Sequence, residues 1–126
     1  MITFLLICSN QLTLLKQRLY LYNQIAKSTN SEIILIDDGG TDNTSTYVKT
    51  HYPNIRFMKN KTEEGYINAF NKAIDFVKTN YILCIDLHVD IKSLCIENEI
   101  KNLKETNSFV HFLCNTNQNS FKNNLL

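Results

Sequence analysis

The 126-residue sequence has little net charge, no long apolar run and no closely spaced pair of cysteines. Its 13 basic and 12 acidic residues leave a net charge of +1, which gives no electrostatic basis for binding nucleic acid or an anionic membrane. The apolar run at residues 2–7 is short and has no basic segment before it, so it predicts neither a signal peptide nor a membrane span. One proline and three glycines in a chain of this length indicate a single compact domain.

The four cysteines are expected to be free thiols rather than disulfides or zinc ligands. None belongs to a CxxC pair, and Cys8, Cys84 and Cys114 each lie in an apolar run, where a thiol behaves as a small hydrophobic side chain. A chain of this length can bury roughly two thirds of its unfolded surface, so it needs neither a metal nor a disulfide to fold. Free thiols predict a reducing compartment, which we take to be the cytoplasm.

Hydrophobic periodicity predicts that strands and helices alternate along the chain. Continuous apolar runs of strand length occur at residues 2–8, 32–37, 55–59, 81–86 and 109–114. Apolar residues at steps of three and four predict helices at 12–27, 43–50 and 92–105, and a further amphipathic helix after Gly65 that carries Ile67, Phe70, Ile74 and Val77 on one face. This order predicts an α/β domain over residues 1–114, a mostly parallel sheet of about five strands with helices on both faces, followed by a polar tail over 115–126.

Acidic residues follow two of the predicted strands, at the edge where open parallel sheets bind ligands. Asp37 and Asp38 are adjacent at the tip of a buried strand, where their charges repel unless a ligand, an amide or a cation compensates them. Asp86 and His88 alternate along an extended segment, so both side chains can face one ion. A carboxylate with a neutral imidazole suits Mn²⁺ better than Mg²⁺. Thr41 or Asp42 is predicted to cap the short helix that follows.

The glycines match neither the GxGxxG nor the GxxxxGK[ST] pattern, which disfavours dinucleotide-binding and P-loop proteins. The sequence instead resembles family 2 glycosyltransferases. EIILIDDGGTDNT resembles their VVDDGSTD signature, with Gly40 in place of serine. NIRFMKNKTEEGYINAFNKAI resembles a segment that carries a glycine, an alanine and an Arg-Asn pair, and YILCIDLHVDI resembles the strand that ends in the DxD motif. The resemblance covers about residues 2–91 and implies the GT-A fold, a three-layer Rossmann-like domain that binds a nucleotide sugar.

Besides Gly40, one short run and two single residues depart from the family pattern, and the run keeps only its asparagine, Asn10. Ile7-Cys8-Ser9-Asn10 stands where the family typically has Pro-Thr-Tyr-Asn, and Phe70 stands where it has the helix arginine. His88 replaces the second aspartate of DxD. The polypeptide N-acetylgalactosaminyltransferases, which share the fold, use an Asp-x-His version of this motif, so the replacement is compatible with metal binding.

The resemblance implies a set of residues around the base and ribose of a nucleoside-diphosphate sugar, comprising Ser9, Asn10, Asp37, Asp38 and Asp86. Asp86 and His88 would hold a divalent metal that bridges the two phosphates. The implied donor is a UDP-sugar, and the implied cofactor is Mn²⁺ or Mg²⁺, with Mn²⁺ favoured. Such a cation would offset the charge of the departing nucleoside diphosphate.

Catalysis and assembly stay open at the level of sequence. In the family, the general base that deprotonates the acceptor comes from the acceptor-binding half, downstream of the fifth strand. A glycosyltransferase-like domain of this length therefore has three interpretations: a minimal enzyme that transfers a hexose, a non-catalytic remnant that binds the donor, or one half of a split enzyme. The alternative is an interaction module that retains the fold and forms a homodimer.

Overall fold

A computed structural model describes residues 1–88, 93–106 and 110–113 of the chain. Five parallel strands form one sheet in the order β3-β2-β1-β4-β5. The strands and helices alternate as β1 (Ile2–Cys8), α1 (Leu12–Ser28), β2 (Glu32–Asp38), α2 (Thr44–His51), β3 (Arg56–Asn60), α3 (Tyr66–Ile74), β4 (Tyr81–Ile85), α4 (Ser93–Glu105) and β5 (Val110–Leu113). The predicted α/β architecture is confirmed.

The helices divide unequally between the two faces of the sheet. Alternate residues of β1, including Phe4 and Leu6, pack with α1, α2 and α4 in the larger core cluster. The residue between them, Leu5, faces the smaller cluster, where α3 supplies the helical side chains. Because successive side chains of a strand point to opposite faces, the uninterrupted apolar run of β1 is buried on both sides.

The strand register brings polar residues together at the carboxyl edge of the sheet. Cys8 lies opposite Asp37, and Asp37 lies opposite Lys59, so these three residues form one row across β1, β2 and β3. They point to the α1 and α2 face, whereas Asp38 is one residue further along β2 and points to the α3 face. Adjacent carboxylates therefore enter two different environments.

Helix α3 corrects one expectation about packing. Its buried residues are Ala69, Phe70 and Ala73, whereas Ile67 and Ile74 are 74% and 37% exposed. Alanine side chains let the helix lie close to the sheet, and the backbone N–H of Gly65, just before the helix, is bound to the Asp38 carboxylate. We attribute the rotation of the apolar stripe away from the core to these two features. The face predicted from periodicity was therefore wrong except at Phe70, which is buried, and Val77, which packs against the same cluster.

Two of the cysteines match the prediction of free, buried thiols. Cys8 and Cys84 are unpaired and buried, and Cys114 and the predicted tail at 115–126 lie outside the described residues. Burial, followed by the charges of Asp37, Asp42 and Asp38, raises the pKa of the Cys8 thiol from 9.0 to about 12. Burial also raises the pKa of Cys84. Among the helices that the structure describes, none has the length and apolar character needed to span a membrane.

Candidate functional site

Asp38 fixes the loop between β3 and α3. One carboxylate oxygen, Oδ1, accepts hydrogen bonds from Asn60 Nδ2 at 2.8 Å and from the Glu64 N–H at 3.0 Å. The other, Oδ2, accepts one from the Gly65 N–H at 3.0 Å. Burial alone would raise the pKa of this carboxyl, but the three hydrogen bonds and the positive charge of Lys72 outweigh it, so the pKa is lowered below 3.8.

Asp37 is fully buried and is compensated differently. Its Oδ1 accepts a hydrogen bond from the Gly40 N–H at 2.9 Å, which closes the turn after β2. Its Oδ2 accepts no hydrogen bond from the described residues, but it lies 3.6 Å from the Lys59 ammonium. The Asp37 side chain has no exposed surface, whereas that of Lys59 is 40% exposed. The Lys59 side chain is thus partly exposed to solvent, whereas the Asp37 carboxylate with which it pairs is completely buried under the turn.

The first two loops at the carboxyl edge are tied to each other. Asn10, at φ +53°, accepts hydrogen bonds through Oδ1 from the Thr41 N–H at 2.8 Å and from the Thr41 hydroxyl at 3.2 Å. Asp42 accepts hydrogen bonds from the first N–H of α1, at Leu12, and from the N–H and hydroxyl of Thr44 at the start of α2. Asp42 therefore caps the first N–H groups of two helices from outside the N-cap positions, which Gln11 and Asn43 occupy, where the sequence predicted Thr41 or Asp42 as the cap of one. These bonds hold the loops in a defined arrangement.

A cleft of about 540 Å³ opens between these loops and the end of β4. Its lining includes Asn10, Gln11, Asp42 and His88. Behind His88, Asp86 Oδ1 accepts a hydrogen bond from the His88 N–H at 2.9 Å and lies 3.0 Å from His88 Nδ1. The side chains of His88 and Asp86 are 62% and 44% exposed, so both reach solvent at the mouth of the cleft.

The structure separates the predicted nucleotide-binding residues into two groups. Asn10 lines the cleft and Asp86 lies beside it, whereas Asp37 and Asp38 are buried beneath the turns and bound to protein groups. The Ser9 N–H donates to Gln11 Oε1 at 3.3 Å, and Ser9 is not among the residues that line the cleft. Within the described residues, no group of three or more His, Cys, Asp and Glu side chains converges as a metal site.

Sequence reasoning assigned no role to two contributors to this edge of the sheet. Gln11 lines the cleft and its Nε2 lies 3.5 Å from His88 Nε2. Asn60 ends β3 and binds Asp38. Asn60 is the last residue of β3, and Gln11 lies three residues after the end of β1, at the N-cap of α1, so a search of every polar residue in the strand-to-helix loops would have included both. Only the contacts in the structure show which of these polar residues take part in the site.

The free energy of unfolding is expected to fall as the pH drops below 3.8, because Asp38 and Asp42 both have lowered pKa values in the folded chain. Burial opposes ionisation of Asp42 too, but hydrogen bonds from Thr44 and Leu12 and the charge of Lys59 outweigh it. The two carboxylates therefore stabilise the fold fully above 3.8, and this contribution is lost as the pH falls through their folded-state pKa values. Urea unfolding at about pH 7 and about pH 3 measures the loss.

The matched variant for this experiment is Asp42→Asn, which lacks one of the two titrating groups. Its stability is expected to change less between the two pH values than that of the parent chain. Equal stability of the parent chain at both pH values would contradict the lowered pKa values.

Comparison with known proteins identifies the family. A sequence model described as glycosyl transferase family 2 matches residues 3–124. The chain belongs to this family. The relatives of this glycosyltransferase chain include poly-β-1,6-N-acetyl-D-glucosamine synthase from Staphylococcus aureus, 35% identical over 88 residues, and its counterpart from Staphylococcus epidermidis, 30% identical over 87 residues. Each alignment covers 68% of this chain and 21% of the relative, so the chain spans about a fifth of the length of these synthases.

Solved glycosyltransferase structures show the same fold. The mannosyltransferase PcManGT from Pyrobaculum calidifontis, in complex with GDP-Man and Mn²⁺, superposes with a TM-score of 0.69 at 19% identity, covering 81% of this chain and 32% of that one. Residues 1–349 of TarS from S. aureus superpose with a TM-score of 0.67 at 20% identity, covering 85% of this chain and 33% of that one. The predicted GT-A fold is therefore confirmed, and the alignments cover about a third of each of these longer chains.

Proposed function

We propose that this family 2 domain binds a nucleoside-diphosphate sugar together with a divalent cation in the cleft at the carboxyl edge of the sheet. The observation that supports this most is the meeting of three strand ends at one cleft, where Asn10, Asp42 and His88 line a single space. Parallel α/β sheets bind ligands at this edge, where the chain reverses direction across the sheet. In the strand order of this sheet, that point lies between β1 and β4.

The loops beside the cleft suit a ligand that must be held in a fixed orientation. Asp42 caps α1 and α2, and Asn10 joins the first loop to Thr41, so little rearrangement is needed to receive a ligand. A binding site that is already ordered loses less conformational entropy when it is occupied. The buried Asp37 and Asp38 act beneath the donor by holding these loops, and Asp86 and Asn10 are the proposed direct contacts.

The residues at the cleft fit a divalent cation as a partial set of ligands. Asp86 Oδ1 is engaged by the His88 main chain and Nδ1, and His88 Nε2, on the opposite edge of the ring, is left for a metal, so that Asp86 would orient the imidazole from behind. An imidazole nitrogen suits Mn²⁺ better than Mg²⁺, and diphosphate oxygens would complete the shell. When bound, the cation would stabilise the negative charge of the leaving nucleoside diphosphate. We propose Mn²⁺ as the preferred ion.

Titration calorimetry with UDP, GDP and their sugars, each with and without Mn²⁺, tests this function. A UDP-sugar is the first donor to test, and GDP-mannose, the ligand of the Pyrobaculum neighbour, is the second. We expect binding that strengthens with Mn²⁺. In the variants Asp86→Ala and His88→Ala, the affinity in the presence of Mn²⁺ should fall by at least about tenfold, because a metal site is sensitive to each ligand and its partners.

Two exposed residues away from the cleft give matched controls for these variants. Asp75→Ala changes an aspartate after α3, and His51→Ala changes a histidine at the end of α2, and both should bind as the parent does. Absence of binding to every nucleotide would overturn the proposal. That result would leave the assembly alternative, for which the exposed apolar side chains of Ile67 and Ile74 on α3 offer a surface.

A further inference from the structure

Gln11 is placed to act on His88 from across the cleft. It lies in the last position before α1, where its side chain lines the same cleft as the His88 ring. Its Oε1 accepts a hydrogen bond from the Ser9 N–H at 3.3 Å. That bond directs the amide nitrogen, Nε2, toward His88, whose own Nε2 lies 3.5 Å away.

The two nitrogens of the His88 ring therefore meet groups of opposite character. Nδ1 lies 3.0 Å from a carboxylate oxygen of Asp86, which can only accept a hydrogen bond. Nε2 faces an amide NH₂ group, which can only donate one. A neutral imidazole carries one N–H and one lone pair, so this environment favours the proton on Nδ1 and the lone pair on Nε2.

We propose that Gln11 is a positioning residue that holds the His88 ring with the Nε2 lone pair directed into the cleft. The inference rests on the proposed function, because the lone pair is the atom that His88 would offer to the divalent cation. Asp86 sets the tautomer from one side, and Gln11 sets the ring orientation and reinforces the tautomer from the other. At 3.5 Å the amide contact is long, so a cation can displace it without losing a strong hydrogen bond.

The first experiment needs no metal. Long-range ¹H–¹⁵N spectra of the imidazole groups, recorded at a pH where histidine is neutral, report which ring nitrogen carries the proton. In the parent chain we expect His88 to show the Nδ1-protonated form. In Gln11→Met, which keeps the length of the side chain but removes its donor, water can either donate to Nε2 or accept from it, so the two ¹⁵N shifts should move toward each other.

The matched control is Gln17→Met, an exposed glutamine on α1, which should leave the His88 resonances where they are. Thermal unfolding of both variants checks that the fold is retained. His88 shifts in Gln11→Met that coincide with those of the parent would overturn the proposal, since a purely structural glutamine would leave the tautomer unchanged.

The second experiment measures Mn²⁺ affinity by electron paramagnetic resonance with UDP present. A cation that takes the Nε2 lone pair displaces the Gln11 amide, so this contact exists only in the metal-free chain. We therefore expect Gln11→Met to bind Mn²⁺ as tightly as the parent or up to about threefold more tightly, and weaker binding than the parent would overturn the proposal. If the parent binds no Mn²⁺ in the presence of UDP, the proposed function fails, whereas movement of the ring resonances in Gln11→Met would still support Gln11 as the residue that positions His88.

Discussion

Replacement of Asp38 by asparagine is expected to lower the free energy of unfolding by about 2–3 kcal/mol at neutral pH. The carboxylate accepts three hydrogen bonds through two oxygens, and it is only 3% exposed. Asparagine has one acceptor oxygen and one NH₂ group, so at least one of the three donors would face another donor. A buried N–H left without an acceptor carries the full cost of its desolvation.

The orientation of the new amide decides which contact is lost, but neither orientation is neutral. If the oxygen replaces Oδ1, the donors of Asn60 and Glu64 stay bound and the Gly65 N–H loses its acceptor. If the oxygen replaces Oδ2, the Gly65 bond survives and the other two are lost. Both cases release part of the loop between β3 and α3, so the variant should also show faster amide exchange at Glu64 or Gly65.

Urea unfolding of Asp38→Asn beside Asp75→Asn measures this effect. Asp75 is exposed after the end of α3, and its replacement should change the free energy of unfolding by no more than about 0.5 kcal/mol. Equal stability of the two variants would show that the buried hydrogen bonds of Asp38 contribute nothing beyond those that water supplies in the unfolded chain.

Replacement of Gly39 by alanine is expected to cost at least about 3 kcal/mol, or to prevent folding. Gly39 has φ +72°, where an L-residue pays roughly 1–2 kcal/mol for the contact between its Cβ and its own backbone. In addition, a Cβ at this position would overlap the main-chain N of Glu63 and the carbonyl carbon of Thr62. Main-chain atoms cannot rotate away as a side chain can, so the two loops would have to separate.

The separation of these loops would be resisted by bonds already described. Asp38, directly before Gly39, binds Asn60 and the N–H groups of Glu64 and Gly65, so it holds the segment that the new methyl group would push. The new methyl group would strain the contact between Gly39 and the loop at Thr62 and Glu63. It would also weaken the hydrogen bonds by which Asp38 holds that loop. For this reason we expect the cost to exceed that of a left-handed backbone alone.

Gly65→Ala is the matched control, since it isolates the backbone term. Gly65 also has a positive φ, +88°, but no atom lies within 4 Å of the Cβ that would be added there. Its replacement should cost about 1–3 kcal/mol, because φ +88° with ψ +158° is a backbone conformation that essentially only glycine adopts. Comparable stability of the two variants in urea would contradict the role of close loop packing at Gly39. A Gly39→Ala chain that does not fold, beside a Gly65→Ala chain that does, would be the largest effect that we expect.

The elements of the fold could be predicted because each depends on a local pattern. The apolar runs of β1 and β2 are long enough for buried strands, and the structure starts and ends them within one residue of the predicted limits. The cap at Asp42 followed from its position before a helix, although the second cap, at Leu12 of α1, did not. That second bond joins residues that are 30 positions apart, and no local pattern contains it.

The rotation of α3 shows where periodicity fails. The stripe through Ile67, Phe70 and Ile74 has helical spacing, yet the alanines beside it face the sheet. Periodicity identifies an apolar stripe but does not measure how closely a helix approaches its sheet. Small side chains can occupy the buried face of a helix when a hydrogen bond at its start, here from the Gly65 N–H to Asp38, fixes the rotation of the helix.

The sequence by itself determined an α/β domain, its family resemblance and the edge of the sheet at which its polar residues gather. It also posed a question about Asp37 and Asp38, namely which ligand, amide or cation compensates their adjacent charges. Only the tertiary structure decided this: main-chain and side-chain amides compensate Asp38, and the Lys59 cation and the Gly40 N–H compensate Asp37. The reason is that the two carboxylates point to opposite faces of one sheet, and the groups that meet them there, apart from the Gly40 N–H three residues after Asp37, come from strands and loops that are distant in the chain.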